Sequence, residues 1–195
     1  MMRIVAISGS LRAGSYNTAL LQAFAAAAAS DHDVQILSAA KLKVIPPYDP
    51  ADDGETPPAA IVDLRAMVTS ADLIVIATPE YNGSIPGQLK HVVDWLSRPR
   101  SDAPIAGKHV VVMSASTGQY GGVWAQEDLA KITKIAGARV LDTRVTVPRA
   151  SEQLANTESG PSRAVRNQIT ALLATIAVLE RPVAGAHSAT PNAEH

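Results

Sequence analysis

Apolar residues fall along this chain in two rhythms. Residues 3–8 (RIVAIS), 34–37 (VQIL), 73–77 (LIVIA) and 109–114 (HVVVMS) are short, nearly continuous apolar runs bounded by polar or glycine-rich segments. Such runs predict strands buried on both faces, as in a parallel sheet. Between them the apolar positions recur at intervals of three and four, which predicts helices. Leu20, Leu21 and Phe24 mark one from residue 15 to about 29, and Ile61, Leu64 and Val68 mark another that closes before Asp72. Leu89, Val92, Val93 and Leu96 mark a third, with Pro86 expected at its first helical position. A fourth spans about 123–136 and stops at Gly137; Val165, Ile169, Leu172, Ile176 and Leu179 mark the last. A weaker strand is expected over 139–147, and the Pro/Asp/Gly segment 43–58 admits neither a central strand nor a helix.

Strand and helix thus alternate about five times, which argues for a parallel sheet with helices on both faces. The expected fold is a flavodoxin-like three-layer α/β sandwich with a five-stranded sheet in the order 2-1-3-4-5. No internal repeat or second domain is evident, so residues 1–181 read as a single domain and 182–195 as a C-terminal tail. In such sheets a ligand sits beyond the carboxyl ends of the strands, which directs attention to the loops after strands one, three and four.

Composition narrows the chemistry. Aromatics are only 4% of 195 residues, so the core must be aliphatic. A formal charge of −1 gives no basic excess for nucleic acid. The absence of cysteine removes disulfides, thiolate metal sites and thiol nucleophiles. The five histidines show no ligand spacing, so no metal is expected, and no G-x-S-x-G elbow suggests a serine hydrolase. No run approaches the ~18–20 apolar residues of a membrane span, and no targeting signal is recognisable, so a cytoplasmic protein with no membrane partner is expected.

The loop after strand one, SGSLRAGSYN (residues 8–17), runs directly into a helix. A helix start offers backbone N–H groups and the positive end of its dipole. Ser10 and Ser15 add hydroxyls, Asn17 an amide, and Arg12 a fixed cation suited to forked bonding of one phosphate. Gly9 and Gly14 have the Walker A spacing, but Ser15-Tyr16 replaces the lysine and hydroxyl residue of that loop, which disfavours a nucleoside triphosphatase. G-x-G-x-x-G is absent too. The competing reading is an ordinary helix start with Ser15 as its cap. The loop after strand three (TPEYNGSIPG, residues 78–87) is stiffened by two prolines and carries Tyr81 and Asn82 at its tip; as an ordinary connection it would use Glu80 as a local cap. The loop after strand four (residues 114–122) is built of small residues that let a flat ring approach the backbone. A phosphate cradle beside two ring-sized walls describes a mononucleotide with a large, flat base.

The strings SGSLRAGSYN, PEYNGSIPGQLKHVVDW and SASTGQYGG together resemble the NADPH-dependent FMN reductase family, with the likeness running from residue 2 to about 179. The resemblance implies bound FMN, with Ser10, Arg12, Ser15 and Asn17 on its phosphate. It places Pro79, Glu80, Tyr81, Asn82 and Gly83 along the ribityl chain and ring, and Ser116 and Gly118 at the pyrimidine edge; Gln119 and Tyr120 receive no role. It further implies ping-pong hydride transfer from NADPH or NADH to flavin N5 and on to quinone, flavin, chromate or azo-type acceptors, with no catalytic side chain. A homodimer or homotetramer is also implied, with helix 86–97 and the Pro-rich loop as candidate contacts. The alternative is a flavodoxin-type electron carrier or FMN-binding protein without NAD(P)H turnover. Arg12 and a charge near zero weigh against a carrier, since flavodoxins are strongly acidic and hold the phosphate with an uncharged loop.

Overall fold

The computed structural model describes residues 1–154 and 160–180. The strands of the described residues are β1 (Arg3–Ser8), β2 (Asp33–Leu37), β3 (Leu73–Thr78), β4 (His109–Ala115), β5 (Arg139–Val140) and β6 (Val145–Val147). They run parallel in the order β2-β1-β3-β4-β5, with β6 also paired to β4. Every residue of β3 is buried, which explains its unbroken apolar character. The expected order therefore holds, with one correction. The fifth position is not a single strand over 139–147: β5 (Arg139–Val140) pairs with the start of β4 and β6 (Val145–Val147) with its end. Between them lies Leu-Asp-Thr-Arg, whose polar residues leave the ladder.

Helices cover both faces. On one side α1 (Tyr16–Ala28) and α7 (Arg163–Leu179) pack Leu20, Leu21, Phe24, Val165, Ile169, Leu172 and Ile176 against Ile4, Val75, Val111 and Val145. On the other, α3 (Ala59–Ser70), α4 (Gly87–Leu96) and α5 (Val123–Ile135) pack Ile61, Leu64, Val92 and Leu129 against Val5, Ile74 and Val112. The alternation follows from the pleat, since successive strand residues face opposite layers. Two short helices have no counterpart in the sequence reading: α2 (Ala39–Lys43) and α6 (Ala150–Gln153). Pro86 is extended, at φ −60° and ψ 142°, and caps α4 one residue before its expected position. Gly137 closes α5 as expected, with Gly137 N–H donating to Lys134 O and Ala138 N–H to Thr133 O.

The segment 43–58 is irregular apart from a 3₁₀ turn at Pro50–Asp52, but α4 fastens it. The Trp95 indole donates to Pro46 O at 2.9 Å, and the Gln88 amide donates to Leu42 O and Ile45 O at 2.7 and 2.8 Å. Arg65 on α3 donates to Asp53 at 2.8 Å while lying over the Trp95 ring. This changes the expected docking role of helix 86–97 and the Pro-rich loop. Leu89, Val92, Val93, Trp95 and Leu96 are all buried within their own chain, so the apolar face that suggested a partner contact is already used. Among the described residues no helix is long and apolar enough to cross a membrane. The expected tail, 182–195, lies outside the described residues.

Candidate functional site

The loop after β1 lies flat against the loop after β3. Gly9 N–H donates to Ala77 O at 2.8 Å, and a Cβ on Gly9 would fall 2.8 Å from Leu89 Cδ2 and 3.2 Å from Pro79 Cδ, so a larger residue there would have to displace the buried Leu89 side chain. The loop then braces itself through its own hydroxyls. Ser8 Oγ pairs with Thr18 Oγ1 at 2.9 Å and accepts from Ser10 N–H; Ser10 Oγ accepts from Arg12 N–H at 3.3 Å. Ser15 caps α1, its Oγ accepting from Asn17 N–H at 3.2 Å. Ser10 and Ser15 each spend a lone pair on a backbone N–H and keep the hydroxyl proton to donate. The orphan N–H groups of the first helical turn add to these donors. Arg12 is exposed, with its guanidinium 5.7 Å from the centre of the Tyr16 ring, and among the described residues it is in no ion pair.

The third loop is joined to the first by a buried polar pair and to the second by a more exposed one. The Asn17 carboxamide is read at both ends by one residue: Nδ2 donates to Ala115 O and Ala115 N–H donates to Oδ1, each at 2.9 Å. Glu80 accepts from the N–H groups of Trp124 and Ala125 at 3.1 and 3.3 Å, which places a carboxylate on the N-terminus of α5. Its capping role is therefore long-range, where a local one was the alternative. Tyr81 and Ser84 exchange backbone bonds across a tight turn whose corners, Asn82 and Gly83, have φ of 53° and 75°. Gly121 lets the third loop fold back: at φ +65° its Cβ would lie 2.8 Å from Thr146 Cγ2 and 2.9 Å from Pro148 N.

These contacts enclose a cleft of about 250 Å³. Ser10, Arg12, Ser15 and Asn17 from the first loop, Pro79, Glu80 and Tyr81 from the second, and Ser116 from the third all line it, joined by Tyr16, Ala115 and Thr117. Tyr16, Ala115 and Thr117 are not among the residues expected from sequence; Tyr16 and Thr117 adjoin expected ones, whereas Ala115 carries no chemical signal of its own. Asn82, Gly83 and Gly118 stand outside that lining. The first two make the turn beneath Tyr81, and Gly118 receives Arg149 N–H on its carbonyl while its own N–H donates to Ser116 Oγ. A broader hollow of about 630 Å³ adjoins the first loop on the β2 side and shares Arg12, Ser15 and Tyr16.

A parallel sheet in the order 2-1-3-4-5, with a hydroxyl- and arginine-bearing loop at the β1/β3 switch point, defines a flavodoxin-like α/β protein whose ligand position is the carboxyl edge. The family can be given more closely. Residues 2–152 match the model of the NADPH-dependent FMN reductases, and the chain belongs to that family. A quinone reductase of Escherichia coli (strain K12) is 37% identical over 142 residues, covering 72% of this chain and 74% of the relative. An NAD(P)H-dependent FMN reductase of Pseudomonas aeruginosa is 37% identical over 128 residues, 66% of this chain and 67% of that one. Among solved structures, the flavoenzyme NAD(P)H:(acceptor) oxidoreductase FerB from Paracoccus denitrificans shares the fold, with a TM-score of 0.79, 22% identity, and coverage of 90% of this chain and 94% of its own.

Proposed function

We propose that this chain is an NAD(P)H-dependent reductase that holds FMN in the three-loop cleft and reduces quinone, flavin, chromate or azo-type acceptors, working in the cytoplasm as a homodimer or homotetramer. The observation that carries the reading is the convergence of Arg12, Ser10 and Ser15 at one end of a cleft whose other walls are residues 79–81 and 115–117. The donor set fits a phosphorylated ligand: two hydroxyl protons, a helix N-terminus and one exposed guanidinium without a carboxylate partner among the described residues.

When bound, FMN supplies the redox chemistry, taking up hydride from NAD(P)H and releasing two electrons to the acceptor. The chain binds and orients. Arg12, Ser10 and Ser15 would hold the phosphate. The Asn17–Ala115 pair keeps the third loop at a set distance from the first, and Glu80 fixes the second loop against α5. No side chain is required to take or give a proton in the hydride step, so the protein's contribution is position and a fixed polar edge.

The test is direct. The purified protein should be yellow, release FMN on denaturation, and sustain NADPH or NADH oxidation beyond one equivalent per FMN when an acceptor from a quinone, flavin, chromate and azo-dye panel is present. A colourless protein that also fails to bind added FMN overturns the reading. A yellow protein without NAD(P)H turnover makes it an electron carrier.

A further inference from the structure

The chain has seven aromatic residues and uses them unevenly. Phe24 and Trp95 are fully buried, whereas Tyr81 and Tyr120 are each 55% exposed and Trp124 is 48% exposed. Tyr81 lines the cleft, whereas Tyr120 and Trp124 stand outside its lining and adjoin it through Glu80. Glu80, which lines the cleft, holds Trp124 by its N–H, and Ser84 Oγ donates to Asp128 at 2.7 Å, tying the Tyr81 turn to the same helix. The rings of Tyr120 and Trp124 lie 5.0 Å apart at a tilt of 57°. In a protein so poor in aromatic side chains, a packed pair left half in water beside a cleft marks a surface that meets something apolar.

The backbone that carries the pair is hydrogen-bonded: Gly121 N–H donates to Gly118 O, Val123 N–H to Tyr120 O, and Arg149 N–H to Gly118 O, so the loop itself is ordered before a ligand lands. The two segments that carry the aromatic residues differ from the first loop, where Arg12 stands, in having no basic side chain. Neither residues 78–87 nor residues 114–128 include a lysine or arginine, and Glu127 and Asp128 follow Trp124 within one turn. A small anion finds no side-chain cation in either segment, while a neutral flat ring finds two ring faces.

We propose that Tyr120 and Trp124 form the docking platform for the electron acceptor and favour neutral planar quinones over oxyanions such as chromate. The inference rests on the reductase reading above and adds to it the residues that sort acceptors.

The experiment uses FMN-loaded protein and compares Trp124→Ala and Tyr120→Ala with the parent. For a naphthoquinone, KM is expected to rise about tenfold in each variant, the effect of losing one stacked ring. The quinone kcat, the FMN affinity and the KM for ferricyanide stay at parental values. Calorimetric titration of the oxidised protein with the naphthoquinone, without NAD(P)H, should show the same loss, and Trp124→Phe and Tyr120→Phe should restore binding. Unchanged quinone KM and unchanged calorimetric affinity, in protein that binds FMN normally, overturn the platform alone. Equal losses for quinone and ferricyanide also overturn it, since they indicate a distorted cleft. So does a change of oligomeric state in light scattering, which would assign the aromatic pair to contact between copies of the chain. A parent protein that binds no FMN overturns the reductase reading, and the platform with it.

Discussion

At the scale of single residues, Arg12 and Asn17 look alike in sequence, two polar residues in one loop, yet the structure gives them opposite environments. Arg12 is exposed and in no ion pair among the described residues, whereas Asn17 is 3% exposed with both ends of its carboxamide committed. Their substitutions should therefore separate binding from stability. Arg12→Ala is expected to weaken FMN binding by about ten- to a hundredfold, the worth of a charge-assisted bond, while leaving the unfolding midpoint in place. Arg12→Lys should fall between, because a lysine keeps the charge and loses the fork. Flavin-fluorescence titration reads both, and an unchanged affinity in Arg12→Ala would show that the phosphate lies elsewhere. Asn17→Ala strands the N–H and C=O of Ala115 in a buried position, at about 1–3 kcal/mol for each unsatisfied group. Urea unfolding should show a loss of roughly 2–6 kcal/mol with an unchanged slope.

At the scale of elements, Glu80 does for α5 what Ser15 does for α1, but from a different loop 44 residues away. Glu80→Ala should cost about 1–2 kcal/mol of stability, and Glu80→Gln about half of that, because glutamine still accepts a hydrogen bond but brings no charge to the dipole. Matching values for the two variants would show that the carboxylate is not acting as a cap. This long-range cap also marks the limit of what the chain disclosed before folding. β1, β3 and β4 were legible because burial on both faces leaves an uninterrupted apolar run. α1, α3 and α5 were legible from their spacing, and Ser15 from its place ahead of a helix. α2 and α6, at five and four residues, span little more than one turn, so the helical period cannot repeat within them. The fifth strand was misread as continuous because Val140, Leu141, Val145 and Val147 suggest one run, although the residues between them turn away. Eight of the eleven candidate residues line the cleft, because the loops that carry them follow neighbouring strands. The partners of Asn17 and Glu80 were not legible, since a bond across 98 or 44 residues exists only once the sheet has brought the loops together.

At the scale of the whole molecule, the family match ends at residue 152, but the sheet's second face is closed by α7, at Arg163–Leu179. Val165, Ile169, Leu172 and Ile176 are buried there against α1 and β6. At about 1.5–3 kcal/mol for each buried aliphatic side chain, their loss amounts to roughly 6–12 kcal/mol, as large as the ~5–15 kcal/mol that holds an ordinary domain together. A chain ending at residue 160 should therefore fail to fold, giving insoluble protein or a featureless near-ultraviolet circular dichroism spectrum. A soluble, cooperative, FMN-binding truncation would contradict this account of the core.

The interrupted fifth strand has an effect beyond topology. An open sheet ends in a row of unpaired backbone groups, on which another chain can add a strand. Here that border is two residues of β5, a polar gap, and three residues of β6, each shorter than the usual ~5–6-residue strand. An incoming strand finds no continuous rail to zip along. Aggregation by sheet extension is discouraged on this side, and any assembly of copies through it has to be built from side chains.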